Sequence, residues 1–281
     1  SYNNLASYAR SLYDALTQPY PPYAAIGLTD GKNTIQLSNA LLQIENEFYG
    51  TIRPKQPVQY GERPLLALNR RGVEYVEVRC LDLDPYQDIG ISKETIAFLD
   101  TFLLFCLLSK SSDDSTEENR SNSENQYLIA ERGRDPSLKL TRDKDFSSVK
   151  SWGADIIEAC QPFALKLDEA NQTSIHMQSL ANAAICLENP EETPSARVLQ
   201  DIEEKHNGSY FNFIMSLSSE YTERLKQDTL SKETLTDCEN NVKLSITKHQ
   251  SVERDEQLDF EEFRKEYVSQ EASRIILEER S

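Results

Sequence analysis

The chain has 281 residues, 38% of them hydrophobic and 9% aromatic, with a net charge of −17 and a pI near 4.7. That apolar content allows a sizeable core, in one large domain or two small ones, and excludes a globally disordered chain. The acidic balance repels nucleic acid and anionic membranes, so neither is expected as a partner, and an anionic ligand would need local cations or bridging metal ions.

The first residue is Ser, and a helical pattern of Leu5, Tyr8, Leu12 and Leu16 begins at once without an apolar leader. The chain is therefore read as a fragment or a processed form. A helix over 1–17 is ended by the prolines of TQPYPPY, and TDGKN (29–33) is a turn. TIQLSNALLQIENEFYGTIRPK then alternates and predicts one or two strands. Side chains along a strand point to opposite faces with period two. Gln43, Glu45, Glu47 and Tyr49 fall on one face; Leu42, Ile44, Asn46 and Phe48 fall on the other.

GVEYVEVRCLDLDPY (72–86) predicts a further strand. Val76, Val78 and Cys80 form a face fit for a core, and Tyr75, Glu77 and Arg79 form the opposite one. The loop after it ends in a helix cap, Ser92. TIAFLDTFLLFCLLS (95–109) is too short to span a bilayer and carries Asp100, so it is expected as a buried core helix with Ile96, Leu99, Leu103 and Cys106 inward. The Ser- and Asn-rich stretch 109–126 reads as a solvated loop, and RDPSLKLTRDKDF as another connection.

From Ser148 onward the patterns are helical, around 148–187, 194–206, 209–227, 231–244 and 252–280. The expected class is α+β, with a β-containing part over 1–147 and a helical part over 148–281 that ends in a charged helix. Five Cys without C-x-x-C suit a reducing cytoplasm better than a disulfide framework. The three His are isolated, without zinc spacing. DEQLDFEEFRKEY resembles the exit of an EF-hand, but Ser251 and Glu256 would stand where that loop needs an acid and a Gly, so an amphipathic helix is expected instead.

The two alternating strands share one device, an apolar face opposite an acidic face with an aromatic. If both polar faces line one side of a sheet, several carboxylates, a Tyr and an Arg converge. Carboxylates suit Mg²⁺ that bridges to phosphates, and an arginine fork matches phosphate oxygens. That constellation suggests Mg-ATP handling. A solvated sheet face with a local ion pair accounts for the same alternation.

LQIENEFYGTIRPK (42–55) followed by GVEYVEVRCLDLDPY closely resembles glutamate–cysteine ligase of the proteobacterial type, also called γ-glutamylcysteine synthetase. YAAIGL (23–28), AERGRDPSL (130–138) and PSARVL (194–199) are weaker echoes. The resemblance implies a glutamine-synthetase-like curved antiparallel sheet, here partial, surrounded by helices. It implies ATP-dependent joining of the γ-carboxyl of L-glutamate to the amine of L-cysteine through a γ-glutamyl phosphate, the first step of glutathione synthesis, with Mg²⁺. By position it makes Glu77 a metal ligand, Arg79 the contact of the transferring phosphoryl group, and Tyr49 a holder of the cysteine carboxylate. Glu45, Glu47, Arg53 and Lys55 are supporting candidates, each equally open to a structural role. The family's blocks lie in the second half of a longer chain, so the remaining metal-binding acids are expected in a missing N-terminal half. A non-catalytic assembly or regulatory domain on the same scaffold, or another carboxylate–amine ligase, are the alternatives.

Overall fold

The computed structural model describes residues 2–255 and 259–269. Asn4 caps α1 (Leu5–Thr17) by a reciprocal capping box with Ser7. The prolines of TQPYPPY do end that helix, and they also start a short one, α2 (Pro21–Ile26), since a proline at the first helical positions lacks only an N–H that would be unpaired anyway. The TDGKN turn joins β1 (Thr29–Asp30) to β2 (Asn33–Thr34), with Gly31 at positive φ. Then come β3 (Ile52–Lys55), α3 (Pro64–Arg71) and β4 (Tyr75–Val78). After them lie α4 (Lys93–Leu108), α5 (Thr116–Arg132), β5 (Lys139–Arg142), β6 (Asp145–Ser148), α6 (Val149–Asn171) and α7 (Ile175–Glu188). The series ends with α8 (Pro194–His206), α9 (Tyr210–Gln227), α10 (Lys232–Arg254) and α11 (Phe260–Tyr267).

The class is mixed, with small sheets between many helices. Among the described residues the strands form three separate two-stranded antiparallel pairs, β1–β2, β3–β4 and β5–β6, so no extended curved sheet is present. The chain divides into two compact units, residues up to 81 together with those from 231 on, and residues 82–230. The boundary expected at 147/148 falls inside the second unit, where β6 runs directly into α6. The expected helix over 252–280 is interrupted: α10 continues to Arg254, α11 covers Phe260–Tyr267, and 256–258 and 270–281 lie outside the described residues.

In the first unit, Tyr8, Ala9 and Leu12 of α1 bury against Leu65 and Leu68 of α3, with Phe48 and Leu42 packed on them. α11 is tied to the same unit by Thr34 Oγ1, which donates to Glu261 at 2.6 Å, and by Arg264, which donates to the Leu37 carbonyl at 3.3 Å.

The second unit centres on Cys160, Ala164 and Leu180 of α6 and α7, covered by Phe98, Phe102 and Phe105 of α4. α4 is thus a core helix capped by Ser92 as expected, but its inward face is Ala97, Phe98, Thr101 and Phe102, and Ile96 and Cys106 are exposed. Its sequence is apolar nearly all round, so periodicity could not single out the face, and the aromatic side chains, which bury most area, decided it. Gly153 lets α6 approach α7, since a Cβ there would lie 2.8 Å from Leu187 Cδ1.

Two expected connections are ordered elements. Residues 116–126 belong to α5: Ser115 accepts from the Glu118 N–H, Arg120 pairs with Glu124 one turn on, and Asn125 exchanges hydrogen bonds of 2.7 and 2.9 Å with Thr141. Residues 139–148 form the β5–β6 hairpin, turned by Asp143 and Lys144 at positive φ, a tight turn without the usual Asn-Gly signature.

The pattern over 148–187 breaks into α6 and α7 because Gln172 is left-handed, at φ 53°. Asp168 in the last turn of α6 then caps α7. Its carboxylate accepts from the N–H groups of His176 (3.1 Å) and Met177 (2.9 Å) and the Thr173 hydroxyl (2.9 Å), with His176 Nδ1 at 2.7 Å. Burial pushes the Asp168 pKa up, but these donors outweigh it and hold the carboxyl well below the usual range. Its stabilisation is therefore complete above the unfolded value of about 3.9 and is lost as pH falls below it. Asp168→Asn should cost about 3 kcal/mol at neutral pH, as when one partner of a buried pair is removed. Urea titrations should show that gap shrinking below about pH 4; a gap independent of pH would contradict the assignment.

No helix among the described residues is long and apolar enough to cross a membrane.

Candidate functional site

The cluster is built on β3 and β4. Their register pairs Ile52 with Val78, Arg53 with Glu77, Pro54 with Val76 and Lys55 with Tyr75. Directly opposed residues share a face, so Arg53, Lys55, Tyr75 and Glu77 project from one side of the ribbon. The ladder continues one step past β4, where the Arg79 N–H donates to the Thr51 carbonyl at 2.7 Å. Cys80, at φ 62°, then turns the chain away.

Glu77 is the centre of the cluster. Lys55 Nζ lies 3.0 Å from its Oε2, and Arg79 donates through Nε and Nη2 to its Oε1, both at 3.1 Å. The Lys55 hydrogen bond, joined by Arg79, holds the Glu77 carboxyl below the usual range against a smaller effect of burial. The Arg79 guanidinium also sits over the Tyr49 ring, 5.6 Å from its centroid. The Glu77 side chain is 35% exposed. Ion pairs this open are screened by solvent and add little to stability, and their charges are accessible to a ligand.

The structure thus brings Tyr49, Lys55, Glu77 and Arg79 together. It corrects the path by which Tyr49 arrives. Residues 45–47 form a 3₁₀ turn, not a strand, and Tyr49 follows in the link to β3, 82% exposed. Side-chain bonds close this turn: Glu47 Oε2 accepts from the Gln43 N–H at 2.7 Å, and Glu45 is drawn inward. Glu45 is 1% exposed and held on both oxygens by Arg63, at 2.9 to 3.1 Å. Neither Glu45 nor Glu47 joins Glu77 in a shared acidic face. Arg53 is buried as well, with Nη2 donating to the Glu45 carbonyl at 3.3 Å.

The expected apolar face of β4 is also corrected, since Val76 and Cys80 are exposed: among the described residues only β3 pairs with this strand. Arg63 was missed from sequence. Its one signal is a basic residue directly before the apolar helix PLLAL, where burial of the helix carries the guanidinium inward.

Among the described residues no group of three His, Cys, Asp or Glu is placed to hold a metal ion. The Glu77 oxygens are both engaged by cations. This donor set by itself does not fit a divalent cation. What it fits is an anion with several oxygens, to which Lys55 offers a point charge and Arg79 a planar fork.

Residues 1–129 match the profile of the family described as glutamate-cysteine ligase. Curated relatives of that name are similar along nearly the whole chain. The one from Saccharophagus degradans is 40% identical over 271 residues, 96% of this chain and 51% of the relative. The one from Janthinobacterium sp. (strain Marseille) is 41% identical over 266 residues, 95% of this chain and 50% of the relative. The crystal structure of the Francisella tularensis glutamate–cysteine ligase in complex with AMP superposes with a TM-score of 0.87 at 28% identity, over 96% of this chain and 53% of that one. The chain spans about half the length of the curated relatives it matches.

Proposed function

As a member of the glutamate–cysteine ligase family, this chain, we propose, contributes the phosphoryl-handling edge of an ATP-dependent ligase that joins the γ-carboxyl of L-glutamate to the amine of L-cysteine. The observation that supports this is the half-open cluster in which Glu77 holds Lys55 and Arg79 side by side on β3–β4. In the reaction a carboxylate oxygen of glutamate takes the γ-phosphoryl group from ATP, and ADP leaves. The cysteine amine then attacks the acyl carbon, loses a proton, and phosphate leaves. Negative charge spreads over the phosphoryl oxygens in the first step, and positioned cations stabilise it.

On this reading Arg79 contacts the transferring group, Lys55 supports it, and Tyr49, whose ring lies against Arg79, reaches the carboxylate of the acceptor amino acid. Glu77 anchors these two cations; with both of its oxygens engaged it is given no metal-ligand role, although the resemblance implies one. The β3–β4 ribbon would be part of a glutamine-synthetase-like sheet completed by the length its relatives possess. The reaction belongs in the cytoplasm, where ATP and free thiols coexist.

The test is ADP release that requires both glutamate and cysteine, measured on this chain joined to the remaining length of the enzyme. Arg79→Lys keeps the charge but loses the fork, and should lower kcat by roughly a hundredfold, as for removal of one oxyanion donor. A full rate with Lys would reduce Arg79 to a point charge and remove the main support for the reading.

A further inference from the structure

α10 is a helix of 23 residues, and every one of them is exposed. Leu235, Cys238, Val242 and Ile246 recur at spacings of three and four, so they form one stripe along it. Leu235, Val242 and Ile246 are 49%, 58% and 52% exposed, and the Cys238 thiol is free and exposed as well. The far side is polar, with Glu233, Asn240 and Thr247, apart from Leu244. Several residues of the helix, Thr234, Thr236, Val242, Ile246, Thr247 and Val252, are β-branched and lower its propensity. Such helices owe most of their stability to an apolar face packed on something else. Among the described residues nothing buries this face.

Two observations identify what covers it. The match to the Saccharophagus degradans relative runs over 271 residues, 96% of this chain, and α10 lies well inside both ends. The helix therefore belongs to the part shared with a protein about twice as long, of which this chain spans 51%. A second copy of the chain is the poorer occupant, because it would bring a net charge of −17 against −17. α10 itself carries four basic and four acidic residues, so its partner needs apolar side chains and not a particular charge.

We propose that the Leu235–Cys238–Val242–Ile246 stripe is the seat of a segment from the other half of the enzyme's length, one that meets it with aliphatic or aromatic side chains. α10 then acts as a docking rail between the two halves. The proposal rests on membership of the family and on the length of its members, not on the phosphoryl chemistry assigned to Lys55 and Arg79.

The experiment compares the 281-residue chain with the same chain joined to the remaining length of the enzyme. A water-soluble maleimide is added to each, and labelling of the peptide that contains Cys238 is followed by mass spectrometry. Cys238 should react at least about tenfold more slowly in the joined protein, since a packed thiol is reached only when its surroundings open. In Thr247→Cys, on the far side of α10, the introduced thiol should react at the same rate in both proteins. As a second reading, Val242→Lys should leave the thermal midpoint of the 281-residue chain unchanged, because Val242 is exposed there. The same variant should lower the midpoint of the joined protein by several degrees, because it places an ammonium among apolar groups. The proposal is overturned if Cys238 reacts equally fast in both proteins, or if Thr247→Cys is protected as strongly as Cys238. It is overturned too if Cys238 of the 281-residue chain becomes protected as concentration rises, which would make a second copy the occupant, or if Val242→Lys affects both midpoints alike. None of these readings measures ligase turnover, so failure here and failure of the ligase reading are separate results.

Discussion

On the proposed ligase reading, Glu77→Gln is expected to abolish ligation once this chain is joined to the remaining length of the enzyme, while leaving the fold intact. The amide keeps the size of the carboxylate but removes the charge that draws Lys55 and Arg79 to 3.0 and 3.1 Å. Both cations then lose the anchor that sets their spacing. Misplacing such groups by about 1 Å can cost a hundredfold in rate, and two are displaced at once, so turnover should fall by roughly a thousandfold or more. Stability should change little, because solvent screens ion pairs this exposed. The check is a pair of measurements, glutamate- and cysteine-dependent ADP release alongside a urea titration. Near-normal turnover would show that Glu77 only neutralises a surface pair. A large loss of stability would show that the cluster is structural.

Glu45→Gln is expected to act the other way, on folding. Glu45 and Arg63 are 1% and 5% exposed and form a two-pronged pair between the 3₁₀ turn and the start of α3. Removing one partner leaves the other as an uncompensated buried charge, which typically costs about 3–5 kcal/mol. Urea or thermal unfolding of the first unit should register that loss. Arg63→Met with Glu45→Gln together should recover much of it, since neither charge is then stranded. A single variant as stable as the original protein would mean that the pair is solvated.

The legible parts of this chain were those governed by local rules. The apolar spacing of α1, the serine cap of α4, and the helical patterns of α8 and α9 can all be read without any knowledge of neighbours. So can the pairing of Glu77 with Arg79, because residues two apart on a strand share a face. The stretch around Glu45 was misread for the opposite reason. Its alternation satisfied the strand pattern, but among the described residues no partner strand lies beside it, and Arg63, eighteen positions away, captures the carboxylate instead. α5 was missed because its polar composition resembles a solvated loop; its stability comes from a cap, an ion pair one turn apart and the Asn125–Thr141 clamp.

From sequence alone, two blocks, 42–55 and 72–86, determined the family resemblance and picked out an acid, an arginine and a tyrosine whose side chains the structure brings together. Residue type and period two suffice for that, because strand geometry is the same wherever a strand occurs. Which carboxylate stays open and which becomes buried was decided only by the tertiary structure. Glu45 and Glu77 are the same residue type in similar patterns, and nothing local separates them. The difference arises when α3 packs against α1 and carries Arg63 inward, while Glu77 stays about one-third exposed on a ribbon whose strands, among the described residues, pair only with each other. Burial is a property of what packs against a side chain, and contacts between distant segments leave no period in the sequence.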